Sequence, residues 1–213
     1  MSALGELDRE IENCQDCGLA KYRTRVVPGE GAENAELFFI GEAPGWYEDQ
    51  QGRPFVGPAG QFLEQLLASI DLRRDQVYIG NVIKCRPPQN RDPLPAEIEA
   101  CGKWLDRQVG IIHPKMIITL GRYSLARYFP NDSIGKVHGK EKRIRDPIIG
   151  DVVYYPMYHP AAALHQGSLR SLIEADMLKI PEILAQSEKM TVSHPSPFVG
   201  EGDEGEAKQL SLF

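Results

Sequence analysis

Cys14, Cys17, Cys85 and Cys101 are the only cysteines in this chain of 213 residues. The first two form a C-x-x-C pair, and the last two lie 16 positions apart in the middle of the sequence. Two distant thiolate pairs are the arrangement of a metal or cluster centre that ties the N-terminus to the middle of a fold. Thiolate ligands suit zinc or an iron–sulfur cluster, and spacing alone leaves both open. Four buried structural cysteines would need no C-x-x-C. Two disulfides would need an oxidising compartment. The opening MSALGELDRE is polar and lacks the apolar core of a secretory signal, so a cytoplasmic protein is expected. No stretch approaches the ~18–20 apolar residues of a membrane span, so no membrane partner is expected.

A second set of reactive residues falls at the ends of apolar runs. The run at 37–41 leads into Gly41-Glu42-Ala43-Pro44-Gly45. The run at 77–83 contains Asn81 and leads into Cys85, and the run at 152–158 leads into His159-Pro160. A fourth apolar run covers 116–120. Each is short, nearly continuous in apolar residues and flanked by turn residues, as strands buried on both faces are. Helical patterns lie between and after them. Residues 59–70 carry apolar side chains at 62, 63, 66, 67 and 70. Residues 95–109 open with proline and early acids, 122–129 form a short helix, and 168–184 form the last one, which Pro181 ends or kinks. Alternating strands and helices predict a three-layer α/β/α domain around a central four-stranded parallel sheet. In such sheets ligands bind beyond the carboxyl ends of the strands. Glycine and proline turns also fall there by default. The convergence of three polar strand ends on one sheet edge therefore carries more weight than any one of them.

Size predicts one domain, residues 1–185, followed by an acidic tail, 186–213, that lacks periodicity and reads as disordered. The net charge of −6 argues weakly against non-specific nucleic-acid binding. The tail holds five acids and two bases, so half of that charge lies in it. Within the domain Lys84, Arg86 and Arg91 are clustered, as are Lys136, Lys140, Lys142, Arg143 and Arg145. A local basic face is compatible with a mildly acidic protein.

The motifs carry a specific resemblance. G-E-A-P-G at 41–45, G-R-P-F-V-G at 52–57, N-V-I-K-C-R-P-P at 81–88, H-P-A-A-A-L at 159–164 and the four cysteines, in this order, resemble a family 4 uracil-DNA glycosylase. The likeness runs from Cys14 to the last helix. It implies a 4Fe-4S cluster on Cys14, Cys17, Cys85 and Cys101, and it is the reason to expect iron rather than zinc. It also implies hydrolysis of the N-glycosidic bond of deoxyuridine in single- or double-stranded DNA, releasing uracil and leaving an abasic site.

That chemistry assigns tasks. The target base must leave the stack and enter a pocket with a flat apolar face and a hydrogen-bonding reader. Negative charge grows on the departing base and positive charge on the sugar, so electrostatic help belongs at both ends. The resemblance gives stacking to Phe55, base reading to Asn81 and stabilisation of the charged ring oxygen to His159. Backbone groups of Gly41, Glu42 and Ala43 line the same pocket. Each has a plain structural alternative: a core phenylalanine, a turn-capping asparagine, a structural histidine. Other glycosylase branches place an acid or amide where this chain has Ala43, so Glu42 is the expected catalytic carboxylate, with Glu48 and Asn90 in support. Leu164 is the candidate wedge pressed into the duplex. A related branch traps its substrate through a histidine before the last cluster cysteine. Residues 87–101 contain none, so turnover is expected.

The last five residues, QLSLF, resemble the short peptide that binds the bacterial DNA sliding clamp, with Gln209, Leu210, Leu212 and Phe213 as contacts. A monomer is expected. Two other classes compete. An electron carrier would use the cluster without a base pocket. A zinc-stabilised hydrolase would contain no iron. Metal analysis, an absorption spectrum and a uracil-release assay separate all three.

Overall fold

The computed structural model describes residues 2–191. Its centre is a six-stranded sheet, not the expected four. The strands are β1 (Glu30–Gly31), β2 (Leu37–Gly41), β3 (Tyr78–Asn81), β4 (Met116–Leu120), β5 (Lys142–Asp146) and β6 (Gly150–Met157), in the order β1-β3-β2-β4-β6-β5. The middle four are mutually parallel and correspond to the four apolar runs. The additions are antiparallel edges: β1 on β3 and β5 on β6. Neither has a buried-strand signature. β1 is two residues long, and β5 reads KRIRD, with its three central side chains exposed. A short or charged edge also discourages pairing with another chain.

Helices cover both faces. They are α1 (Ala3–Glu12), α2 (Trp46–Gln51), α3 (Pro58–Ala68), α4 (Pro95–Ile112), α5 (Arg122–Tyr128), α6 (Ile134–Val137), α7 (Pro160–His165), α8 (Ser168–Met177) and α9 (Ile180–Thr191). Alternate residues of each strand enter opposite cores. Phe38, Ile40, Tyr78, Ile117 and Tyr154 pack with Leu7 and Ile11 of α1 and Trp104 and Leu105 of α4. Leu37, Phe39, Ile79, Ile118 and Tyr155 pack with Phe62, Leu63 and Leu66 of α3 and Ile173 and Met177 of α8. The three layers follow from this alternation.

The expected last helix is two. The break falls at 178–179, and Pro181 sits in the first turn of α9, where its missing N–H costs nothing. α9 runs to Thr191, past residue 185. Gln209, Leu210, Leu212 and Phe213 lie outside the described residues.

Chain order places β3 on one side of β2 and β4 on the other. The carboxyl ends of β3, β2, β4 and β6 therefore open onto one edge at this reversal. Asn81, Gly41, Gly121 and His159 stand there in sequence across the sheet.

Candidate active site and cysteine centre

The strand-end site is built around a glycine that cannot grow. A Cβ on Gly41, the last residue of β2, would stand 2.4 Å from Asn81 Oδ1 and 2.7 Å from Phe55 Cζ. Asn81 ends β3 opposite Gly41 in the parallel ladder. Backbone hydrogen bonds continue past the strand ends, Val82 N–H to Gly41 O and Ile83 N–H to Glu42 O, at 3.0 and 3.2 Å. The two loops thus leave the sheet together. Asn81 is only 2 % exposed, and its Oδ1 has no hydrogen-bond partner among the described residues. A buried, unpaired amide oxygen costs on the order of 1–3 kcal/mol, so such an acceptor persists where a ligand donor can reach it.

Phe55 is held against its own backbone preference. Its φ is +52°, in the left-handed region that aromatic residues avoid. Glu48 Oε1 accepts the N–H groups of Val56 and Gly57, both at 2.9 Å, and its Oε2 accepts that of Gly45 at 3.1 Å. One carboxylate thereby joins the 41–45 loop to the Phe55 loop. Arg74 donates to the carbonyls of Phe55, at 2.8 Å, and Pro54. Gly60 lets α3 pass beneath, since a Cβ there would meet Phe55 O at 1.8 Å. Strain fixed from three sides is characteristic of a preorganised site. Arg74 has no sequence signal of its own. The role of Glu48 does have one, because a glutamate three residues after a helix-starting glycine caps that helix.

His159 lies beside Phe55, with ring centroids 5.4 Å apart and planes inclined by 24°. Its Nδ1 accepts the Ala161 N–H at 3.1 Å, so the neutral ring carries its proton on Nε2. Burial pushes its pKa down to about 4, against a weaker opposing pull from Glu48. At neutral pH it is an uncharged donor.

Glu42 follows Gly41 and is half-buried. Burial raises its pKa to about 6, Asp92 adds to the rise, and Arg122 opposes it. Arg122 is itself paired with Asp92 at 2.5 Å. Ala43 is half-buried against the α1–α4 core. Asn90 lies on an exposed loop, where its Oδ1 accepts from Arg86 at 2.6 Å. Leu164 is half exposed on α7. Trp46 and Tyr47, which follow the G-E-A-P-G motif, are about equally exposed and meet edge to face.

The four cysteines line one pocket together with Ile11, Arg23, Lys84 and Trp104. The loop after α1 carries Cys14 and Cys17, the loop after β3 carries Cys85, and α4 carries Cys101. Protein donors aim at three of the sulfurs. Trp104 Nε1–H reaches Cys14 at 3.4 Å, Arg23 reaches Cys85 at 3.3 Å, and the Lys84 backbone N–H reaches Cys101 at 3.3 Å. Such donors stabilise thiolates and the anionic clusters they hold. Burial raises the free thiol of Cys101 to about 11, so a centre at this site must displace that proton. Among the described residues no group of three or more His, Cys, Asp or Glu side chains is gathered to hold a single ion. Four cysteines around one pocket have the donor chemistry of a thiolate-bound metal or cluster.

Lys84 is the residue least visible in the sequence. It is 1 % exposed, and its ammonium donates to Asn81 O at 2.8 Å and Gln108 Oε1 at 2.6 Å. Sequence reasoning placed it in a basic surface cluster.

Residues 28–179 match the model of the uracil DNA glycosylase superfamily. The chain is 46% identical to a type-4 uracil-DNA glycosylase of Sulfurisphaera tokodaii, across 91% of this chain and 90% of that protein. It is 45% identical to one of Archaeoglobus fulgidus, across 88% of this chain and 96% of that protein. Identity is also 45% to one of Saccharolobus solfataricus, across 97% and 96%.

Proposed function

The chain belongs to the type-4 branch of the uracil DNA glycosylase superfamily, and we propose that it hydrolyses the N-glycosidic bond of flipped-out deoxyuridine in DNA. The observation that carries this reading is the buried, unpartnered Oδ1 of Asn81 beside Phe55 above Gly41. Uracil presents a ring N–H next to a carbonyl. Asn81 Oδ1 accepts from N3–H, and its amide nitrogen donates to O4. Cytosine reverses that pattern, with an acceptor N3 and an amino donor, so it leaves both amide groups mismatched. Phe55 stacks on the base.

As the C1′–N1 bond breaks, the electron pair moves to N1 and spreads onto O2. His159 Nε2–H donates to O2. Because the imidazolium form is lost near pH 4, the ring is neutral at neutral pH, and its Nε2–H, a very weak acid, hydrogen-bonds the anion without giving up its proton. The sugar becomes cationic at C1′. The Glu42 carboxylate stabilises that cation and orients the water that adds to C1′; the added water gives up one proton, and the departing base anion takes up one to leave as neutral uracil. The products are free uracil and an abasic site. Glu48 acts earlier in the causal chain, by holding the Phe55 loop.

Cys14, Cys17, Cys85 and Cys101 hold a 4Fe-4S cluster in this reading. Supporting it are the all-thiolate donor set around one pocket, the three donors aimed at sulfur and the family relationship. The cluster supplies a structural tie between the N-terminus and the loop after β3. We also assign Leu164 as the duplex wedge, Gln209, Leu210, Leu212 and Phe213 as contacts to a sliding clamp, a monomeric state and a cytoplasmic location.

The test is base release from matched U·G, U·A and single-stranded uracil oligonucleotides, followed by alkaline cleavage. Uracil-dependent cleavage with iron and sulfide present is the expected result. Intact strands in every case, with the centre loaded, would refute the assignment.

A further inference from the structure

A buried lysine is costly, since an ammonium removed from water loses several kcal/mol of hydration that only good partners restore. Lys84 is placed between two sites that the proposed function treats separately. Its backbone N–H donates to Cys101 Sγ at 3.3 Å, one wall of the cysteine pocket. Its Nζ donates at 2.8 Å to the carbonyl of Asn81, the base reader. Asn81 is the last residue of β3, so the ammonium holds the backbone at the strand's carboxyl end. The other end of the ammonium is anchored. Gln108 Oε1 accepts from it at 2.6 Å, and Gln108 Nε2 donates to Pro28 O at 2.9 Å and Tyr78 Oη at 3.2 Å. Asp8 and the sulfurs of Cys85 and Cys101 lie within electrostatic reach of the same charge. The sheet, α1 and α4 thus converge on one side chain.

We propose that Lys84 is a positioning residue joining the cysteine centre to base recognition: it fixes Asn81 toward the uracil edge and places its positive charge beside the centre. The proposal rests on the function proposed above. Two consequences follow that a space-filling lysine would not produce. Loss of the ammonium loosens Asn81, whose hydrogen bonds matter more as charge builds on the base, so kcat falls while KM holds. Loss of a nearby positive charge also disfavours the more negative, reduced state of the centre, so its midpoint potential moves down.

The test compares cluster-loaded wild type with Lys84→Met, a substitution close in length and volume that lacks the charge. Iron content and visible absorbance establish that the centre is present. Single-turnover uracil release is expected to slow about tenfold or more, from the loss of one charge-assisted hydrogen bond, with DNA affinity within about twofold. Protein-film voltammetry is expected to show a more negative potential. A rate within about twofold of wild type, or an unchanged potential, would overturn the junction. If Lys84→Met yields no soluble protein, Gln108→Leu keeps the lysine and removes its anchor, together with the anchor's bonds to Pro28 and Tyr78. A slowing of about threefold is then expected, and an unchanged rate refutes the proposal. Inactive wild type would instead defeat the glycosylase reading itself, while the potential comparison stays readable on the same protein.

Discussion

Replacing Gly41 with alanine tests the geometry of the pocket more directly than removing any functional side chain. The added methyl would lie 2.4 Å from Asn81 Oδ1 and 2.7 and 2.8 Å from Phe55 Cζ and Cε2. Ordinary carbon–oxygen and carbon–carbon contacts begin at roughly 3.2 and 3.6 Å, so about 0.8–0.9 Å of overlap must be relieved. Neither neighbour can yield cheaply. Asn81 ends a central strand with its carbonyl held by Lys84, and the Phe55 loop is held by Glu48 and Arg74. A displacement near 1 Å at a reacting base costs about 10²-fold in rate. Overpacking itself costs about 1–3 kcal/mol, a melting shift of only several degrees for a domain of this size. The expected result is therefore a protein with near-normal iron content and a modestly lower Tm whose single-turnover uracil release is about a hundredfold slower. Gly167→Ala is the control, because a Cβ there meets nothing within 4 Å. A Gly41→Ala enzyme within about threefold of wild type would show that Phe55 and Asn81 are not the walls of the base pocket.

Release rate against pH is expected to climb to a plateau with an apparent pKa of about 6, because the burial-raised Glu42 must be ionised to act, and Glu42→Gln should remove that limb. His159, near 4, should add no limb between pH 5 and 9. The stability sign is opposite: a carboxyl raised in the fold favours folding fully below its ordinary value of 4.5, and that contribution is lost as pH rises through about 6. Asn81→Asp should slow uracil release by at least about tenfold, since the carboxylate cannot donate to O4, and should improve the relative standing of cytosine, as paired U and C oligonucleotides would reveal. Cys101→Ala should abolish iron incorporation and lower Tm by roughly 10 °C, because the centre ties α1 to α4 and the loop after β3; full stability without iron would refute its structural role. Removal of residues 209–213 should leave uracil release from short oligonucleotides unchanged while abolishing micromolar binding of the chain to a bacterial clamp, measured by titration.

What the sequence disclosed depended on how local its physics was. The four parallel strands are buried on both faces and are nearly continuous in apolar residues, so composition alone located them. β5 is held by its ladder to β6 rather than by burial of its own side chains, and KRIRD gives no local hint of it. α1 carries local signals of its own: Ser2 caps it, accepting from Gly5 N–H at 3.2 Å, and Leu4, Leu7 and Ile11 recur at helical spacing on its buried side. The two-helix ending was half legible, since Pro181 marked a discontinuity but served as a beginning.

The site divides along the same line. The residues proposed to touch substrate sit in motifs at strand ends, where chain topology concentrates them and where a single sequence suffices to propose them. Residues that make those positions precise act across long stretches of chain. Glu48 reaches backbone eight and nine residues away, Arg74 reaches nineteen and twenty, and Gln108 reaches Pro28 across eighty. Beyond the capping position that marks Glu48, no composition or periodicity encodes such contacts. Lys84 shows the cost of ignoring them. Read beside Arg86 and Arg91 it looks like part of a surface that attracts phosphate, yet the β3 end turns it inward while Arg86 stays at the surface loop. Of the three, Arg91 is matched by Glu97 in a two-bond ion pair, at 2.9 and 2.6 Å. The apparent basic cluster therefore supplies one buried structural cation, one neutralised pair and one arginine at the rim. DNA attraction near the cysteine loop must rest on far less positive charge than the sequence count suggests, so the salt dependence of binding should be correspondingly shallow.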